Sequence, residues 1–326
     1  MTAILFVLFA IFQLASADFE AWYKRYSRHM TMYMISKEES SRAYAENVKF
    51  INDFNSGNHS YKLSTEGRWV GFPRAKLPSI FRKREAVRRS DRRGMFGCSK
   101  YVSSKRKPAN ITLKAAPDAI DWRSYMSPVR DQGSCGGCYT FGSVGALEGR
   151  LNMQYNVKLD LSEQQAIDCS KGYGNHGCNG GLGENVYEYI THGGLAYEND
   201  YPFIGTDQQC KSAVKHAYLK SYTCGLGNMK EHIAVGPVDI AMDVEGSFMY
   251  YSSGYYDGSG DSCGNDYYTD NHEMVAVGYG IHDGKTYYII RNSWGTSWGI
   301  NGYVYVYENV CGVETDPEVP LSYSLA

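Results

Sequence analysis

Beyond Ile4–Leu14, which is apolar apart from Gln13, the chain of 326 residues contains no long hydrophobic run. A membrane-spanning helix needs about 20 apolar residues, so no membrane anchor is expected. No segment repeats itself, which sets aside solenoid architectures. Cys135-x-x-Cys138 lacks a second cysteine pair at zinc-finger spacing, and no βαβ pattern surrounds it. Structural zinc and thioredoxin-type redox chemistry are therefore unsupported, and neither a metal nor a cofactor is expected. With 43% hydrophobic and 21% charged residues, the composition is that of an ordinary globular protein.

What is present begins with a leader. Met1 to Ala17 combines a short apolar core with small residues at Ala15 and Ala17, the pattern of a secretory signal cleaved after Ala17. Its start lacks Lys or Arg, a departure from the usual leader. Two sequons, Asn58-His-Ser60 and Asn110-Ile-Thr112, fit that route as glycosylation sites. Charge is split along the chain. Residues 1–115 carry 22 Lys+Arg against 9 Asp+Glu, and residues 116–326 carry 11 against 26. The two parts attract each other, and acid weakens the attraction by protonating carboxylates. Residues 82–107 hold eleven Lys and Arg and read as an exposed, cleavable linker. A polyanion-binding or nuclear-localisation patch has the same composition, but the leader argues against the nucleus and no nucleic-acid partner is expected.

Tyr44, Asn47, Ile51 and Asn55 recur at helical spacing, as do Phe141, Val144, Leu147 and Leu151. Ser162 with Gln165 predicts a capping box opening a helix over 163–168. A third helix over 183–191 stops at Gly193-Gly194. Strands are predicted over 238–242, 274–279, 286–291 and 303–307, with Asp283-Gly284 as a hairpin turn. The part after residue 116 thus reads as helical first and β-rich second, with a cleft between unlike halves.

The chemistry concentrates in three segments: Asp131-Gln-Gly-Ser-Cys-Gly-Gly-Cys-Tyr-Thr-Phe141, Asn271-His-Glu273 and Arg291-Asn-Ser-Trp-Gly295. Cys138 opens a helix, where N–H groups favour a thiolate. His272 supplies a base that also protonates a leaving amine. Asn292 orients the imidazole, and Trp294 screens that contact from water. Gln132, six residues before Cys138, pairs with the Cys138 backbone N–H as an oxyanion hole.

These segments resemble the papain-like cysteine peptidases, the cathepsin L-type branch in particular. The handover from Cys138 to His272 and Asn292 spans 134 and 154 residues, close to the family spacing. Further matching segments are Leu161-Ser-Glu-Gln-Gln165, Gly177-Cys-Asn-Gly-Gly181, Ala276-Val-Gly-Tyr-Gly280 and Trp294-Gly-Thr-Ser-Trp-Gly299. Local motifs look most like amoebic cysteine proteinases. The chain departs from the pattern at Gly137 and Tyr139, where Ser and Trp are usual, and at Glu273, where a small residue is usual. Ser36 and Ser40 replace the Glu and Arg of the family's pro-region helix motif.

The resemblance implies an α+β, two-lobed fold with a helical left domain and a β-barrel-like right domain. It implies a signal peptide over 1–17, an inhibitory pro-region over 18–115 and a peptidase domain over 116–326. Cys135–Cys178, Cys169–Cys210 and Cys263–Cys311 are implied disulfides. Cys224 is then either an inert buried thiol or the partner of Cys98, which mass mapping without reductant distinguishes. Substrate binding is implied for Gly136, Gly180, Gly181, Leu182, Gly183, Ala241, Asp270, Glu273, Trp294 and Asp316. Asp316 at the pocket floor predicts acceptance of Arg two residues before the scissile bond (P2). Glu273 is expected to raise the His272 pKa or to line that pocket. No occluding insertion is evident, so an endopeptidase is expected. Expected partners are protein and peptide substrates, the chain's own pro-segment and cystatin-like inhibitors, with the protein a monomer in lysosome-like vesicles or outside the cell. The alternative is a catalytically impaired homologue acting as a binding protein.

Overall fold

The computed structural model describes residues 2–79, 116–224, 229–265 and 269–326, excepting the side chains of 2–16 and 77–79. Cys98, Asn110 and the basic linker therefore lie outside the described residues. Helix α1 (Thr2–Met32) packs on α2 (Lys37–Ser56). The start of α2 is a full capping box. Ser36 Oγ accepts the Glu39 N–H at 3.1 Å and Glu39 Oε2 accepts the Ser36 N–H at 3.0 Å, satisfying two end groups at once. The asparagines predicted on one face of α2 fasten the chain that follows. Asn47 Nδ2 donates to Val70 O and Phe72 O at 2.9 and 3.0 Å, and Asn55 exchanges two bonds with the Leu63 backbone.

Helix α3 (Cys138–Tyr155) divides the peptidase part. One side packs with α4 (Glu163–Cys169) and α5 (Gly183–Gly193) in a core containing Val144, Leu147, Leu151, Val186 and Ile190, all 0% exposed. Burying each such aliphatic side chain contributes roughly 1.5–3 kcal/mol. The other side sets Ala146 against Val275, Val277 and Ile289 of the sheet. Ser162 Oγ caps α4 by accepting the Gln165 N–H at 2.9 Å. The reciprocal half of the predicted box is absent. Gln165 instead donates to Tyr189 Oη and accepts from the Ala196 N–H, because its side chain is drawn into the lobe's core.

The strands are β1 (Tyr61–Leu63), β2 (Ile120–Asp121), β3 (Ala217–Cys224), β4 (Val238–Met242), β5 (Tyr251–Tyr256), β6 (His272–His282), β7 (Lys285–Arg291), β8 (Tyr303–Tyr307) and β9 (Glu318–Leu325). Among the described residues they order as β1-β5-β8-β7-β6-β4-β9-β3, with β2 on β6. The α+β papain-like architecture that the resemblance implies is present, and the hydrogen-bonded sheet is open, with β1 and β3 ending the order without pairing to each other. The short helix α6 (Met229–Ala234) packs against β6. Asp283 and Gly284 have φ of 49° and 73°, the backbone of a tight hairpin turn. The lobes are less separate in sequence than expected. Leu219, Tyr222 and Cys224 of β3 join the helical core, with Tyr323 and Leu325 of β9 packed against it.

Residues before 80 dock on the sheet lobe. Strand β1 pairs antiparallel with β5. Tyr61 Oη and Ser247 Oγ are 2.7 Å apart, and Phe54, Tyr61, Trp69 and Phe72 share one core with Phe248, Trp294 and Trp298. Among the described residues, no helix is long and apolar enough to cross a membrane.

Candidate active site

Cys138 is the first residue of α3, with Gly137 as its N-cap. The backbone N–H groups of Glu273 and Tyr139 reach its sulfur and favour the thiolate. Burial outweighs them and, with Glu273 and Asp239 nearby, pushes the thiol up to about 12. His272 opens β6, in register with Met242 of β4. Its Nε2 lies 2.8 Å from Asn292 Oδ1, which also accepts the Ser293 N–H at 2.7 Å. An oxygen already accepting from Ser293 requires Nε2 to donate, so the neutral imidazole keeps Nδ1 as its basic nitrogen. Burial pulls His272 down to about 4, opposed by the Asn292 bond. Burial is the main influence on His272, and Glu273 acts on the neighbouring nucleophile. Its carboxylate raises the Cys138 thiol.

Trp294 lies 4.9 Å from His272 between ring centroids and is 1% exposed. It is covered by Trp69, edge-on at 5.5 Å. Gln132 Nε2 donates to Cys135 O at 3.0 Å, and Ser293 Oγ donates to Gln132 Oε1 at 2.6 Å. Ser293 was missed by motif reasoning, although its place directly after Asn292 was a usable signal.

The opposite wall is fastened to this one covalently. Cys135–Cys178 joins the two, and Gly136 N–H donates to Cys178 O at 3.0 Å. A Cβ at Gly136 would stand 2.7 Å from that oxygen, so glycine is required by close approach. Tyr139, in place of the usual Trp, sits beneath Gly181 and donates from its hydroxyl to Gly177 O at 3.0 Å. Asn175 Oδ1 accepts the Leu182 N–H at 2.8 Å. Gly180, with φ of 103°, needs glycine for its backbone. Cys169–Cys210 and Cys263–Cys311 also form. Cys224 is disulfide-bonded, which rules out the inert thiol; Cys98, its predicted partner, lies outside the described residues.

Of the predicted pocket residues, Leu182, Ala241, Asp270, Glu273 and Asp316 are all 5% exposed or less. Asp316 therefore does not turn to solvent. Thr315 Oγ1 donates to Asp270 Oδ2 at 2.7 Å, tying the pocket rim to the loop before β9. Asn58 is exposed, as a glycosylation acceptor must be. Among the described residues no cluster fit to hold a metal occurs.

Residues 116–321 match the model of the papain family cysteine protease domain. The chain belongs to the papain family of cysteine proteases. Cysteine proteinase 2 of Entamoeba histolytica is 38% identical, over 97% of this chain and 98% of its own length. Thiol protease aleurain of Arabidopsis thaliana is 37% identical, over 85% of this chain and 76% of its own. Among solved structures, digestive procathepsin L 3 of Tenebrio molitor superposes with a TM-score of 0.76 at 26% identity, covering 92% of this chain and 99% of that one. The proform of the ragweed pollen allergen Amb a 11 gives 0.75 at 28%, covering 93% and 94%. Both neighbours are precursor forms of papain-family enzymes, so this protease is a cysteine peptidase with a zymogen form.

Proposed function

We propose that the protein is an endopeptidase made as a secreted or lysosome-like preproenzyme, with a signal over 1–17, an inhibitory pro-region over 18–115 and the enzyme over 116–326. Cys138 Sγ attacks the scissile carbonyl carbon. His272 takes the thiol proton and gives it to the leaving amine, and water then hydrolyses the acyl-enzyme. Asn292 holds the imidazole. Gln132 has two amide hydrogens, and the one not bonded to Cys135 O is available to the oxyanion. The observation that carries the reading is the shared acceptor Asn292 Oδ1, which sets the His272 tautomer beside a helix-opening cysteine.

Glu273 and Asp316 favour Arg at P2, alongside bulky apolar side chains. Acid removes the pro-region's hold and activates the enzyme. The test is N-terminal sequencing of acid-treated protein, covalent labelling with a thiol-directed epoxide and a peptide-library scan. A label on Cys138 with cleavage inside peptides is expected. Absence of labelling and hydrolysis points to the binding-protein alternative. Gln132→Ala is expected to lower kcat by about 10²-fold, read with any cleaved peptide; an unchanged kcat removes it from the oxyanion hole.

A further inference from the structure

A short piece of the pro-region lies on the peptidase lobe as an added strand. β1 runs antiparallel to β5, with Tyr61 opposite Gly254, Lys62 opposite Ser253 and Leu63 opposite Tyr251. Backbone bonds close both ends. Tyr255 N–H donates to Ser60 O at 2.9 Å, and Ser64 N–H donates to Tyr250 O at 2.8 Å. Between them Ser252 Oγ donates to Lys62 O at 3.0 Å. β8 holds the opposite side of β5, so among the described residues β1 takes the side that no peptidase strand covers.

The seat fits side chains as well as backbone. Tyr61 and Leu63 are 1% and 4% exposed, whereas Lys62 between them is exposed. Ser247 Oγ gives its proton to Asp261 Oδ2 at 2.7 Å. The Tyr61 hydroxyl therefore donates to Ser247 Oγ, also at 2.7 Å, and accepts the Gly260 N–H at 3.2 Å. Two glycines make room for the incoming chain. A Cβ at Gly254, where φ is 84°, would stand 2.4 Å from Ser60 O, and one at Gly260 would stand 2.9 Å from Tyr61 Oη. Glycine at such places permits close approach by another backbone. All the receiving groups lie between Ser247 and Asp261, inside the matched peptidase domain, and stay when the pro-region leaves.

The seat is also close to the chemistry. Trp69, six residues after Leu63, lies edge-on against Trp294, which contacts His272. Six residues reach about 22 Å at most. A chain held on β5 thus keeps its other residues near the cleft at a high effective concentration.

We propose that, once the pro-region has left, this side of β5 is an exosite for protein substrates. It takes an extended segment as an added strand, with an aromatic residue in the Tyr61 seat and an aliphatic one two positions later. Another part of the same polypeptide is cut at Cys138. Main-chain bonds supply affinity, and the two side-chain seats supply selectivity. The inference rests on the peptidase reading above and names a substrate class for it: unfolded or extended chains with an aromatic-x-aliphatic triplet away from the scissile bond.

The test uses enzyme activated from the full precursor and two fluorogenic peptides sharing one cleavable sequence. The first carries the sequence His59-Ser-Tyr-Lys-Leu-Ser64 on a Gly/Ser linker of about 15 residues, whose r.m.s. reach is about 20 Å. The second is identical except for Ser in place of Tyr and of Leu. Initial rates at the fluorogenic bond are expected to give a KM about tenfold lower for the first, with kcat unchanged. The free hexapeptide is expected to abolish that advantage without slowing the second substrate. Equal KM values overturn the proposal. So does equal inhibition of both substrates, which puts the hexapeptide in the cleft. Light scattering supplies a further arm: activated enzyme that dimerises, and that the hexapeptide returns to monomer, gives the seat to a second copy and overturns the substrate reading. Hydrolysis of neither peptide, with no labelling of Cys138, is a failure of the peptidase reading instead.

Discussion

Cys138→Ala is expected to lower kcat/KM by about 10⁴-fold or more on every peptide, because no other group in the cleft forms the acyl intermediate. The fold should tolerate the change. Position 138 begins α3, and alanine is at least as good a helix residue as cysteine. A thermal midpoint within a few degrees of the parent is expected (~1 kcal/mol or less). The variant should also lose epoxide labelling. Residual hydrolysis near the parent rate would move the nucleophile elsewhere. In the precursor the thiol and imidazole are both held neutral, at about 12 and about 4, and burial is the first cause of each shift. The parts are in place, but their charges are suppressed until the cleft is wetted.

His29→Leu is expected to slow acid activation about tenfold or more at about pH 4.5. His29 is 9% exposed, in edge contact with Trp69 and Tyr33 at 4.9 Å each. Those two rings hold the pro-region on the cleft: Trp69 covers Trp294, and Tyr33 Oη donates to Gly133 O at 2.8 Å. Burial, then Arg68, lowers His29 to about 3. Its stabilising contribution is complete above the unfolded value near 6.5 and is lost as pH falls toward 3. At about pH 4.5 the loss is on the order of 3 kcal/mol. Two buried carboxyls of the peptidase lobes respond in the opposite sense, while His272 responds as His29 does. Burial raises Glu163 to about 8 and Glu318 well above its usual range, so acid relieves an unfavourable charge in each. Acid thus weakens the pro-region's seat at His29. The check is the rate at which active enzyme appears as pH is lowered. An identical pH profile in His29→Leu would assign acid activation to other groups.

The candidate site was legible because Cys138, His272 and Asn292 each lie in short strings whose order and spacing are chemically constrained. The helices were legible for a similar reason: the Phe141–Leu151 periodicity and the Gly193-Gly194 stop are local. Asp239 and Glu318 were not. One acid within an apolar strand such as Val238–Met242 reads as a solvent-facing position, and only the ladder reveals that both faces are buried. Strand β1 was equally hidden. Three residues make no pattern, and the partner strand lies some 190 residues away, so the pairing is a property of the docked whole. Ser36 was read as a departure from a family motif, whereas its hydroxyl is half of the capping box that starts α2.

The pairing of β1 with β5 has a consequence for handling the enzyme after activation. Strand β5 lies beside β8 on one side and is covered by Tyr61–Leu63 on the other. When the pro-region departs, a row of amide and carbonyl groups on β5 loses its partner, and such a border recruits other chains. The precursor therefore keeps that edge occupied by its own sequence. Cover for an open sheet border, and not only silence of the nucleophile, follows from that three-residue strand.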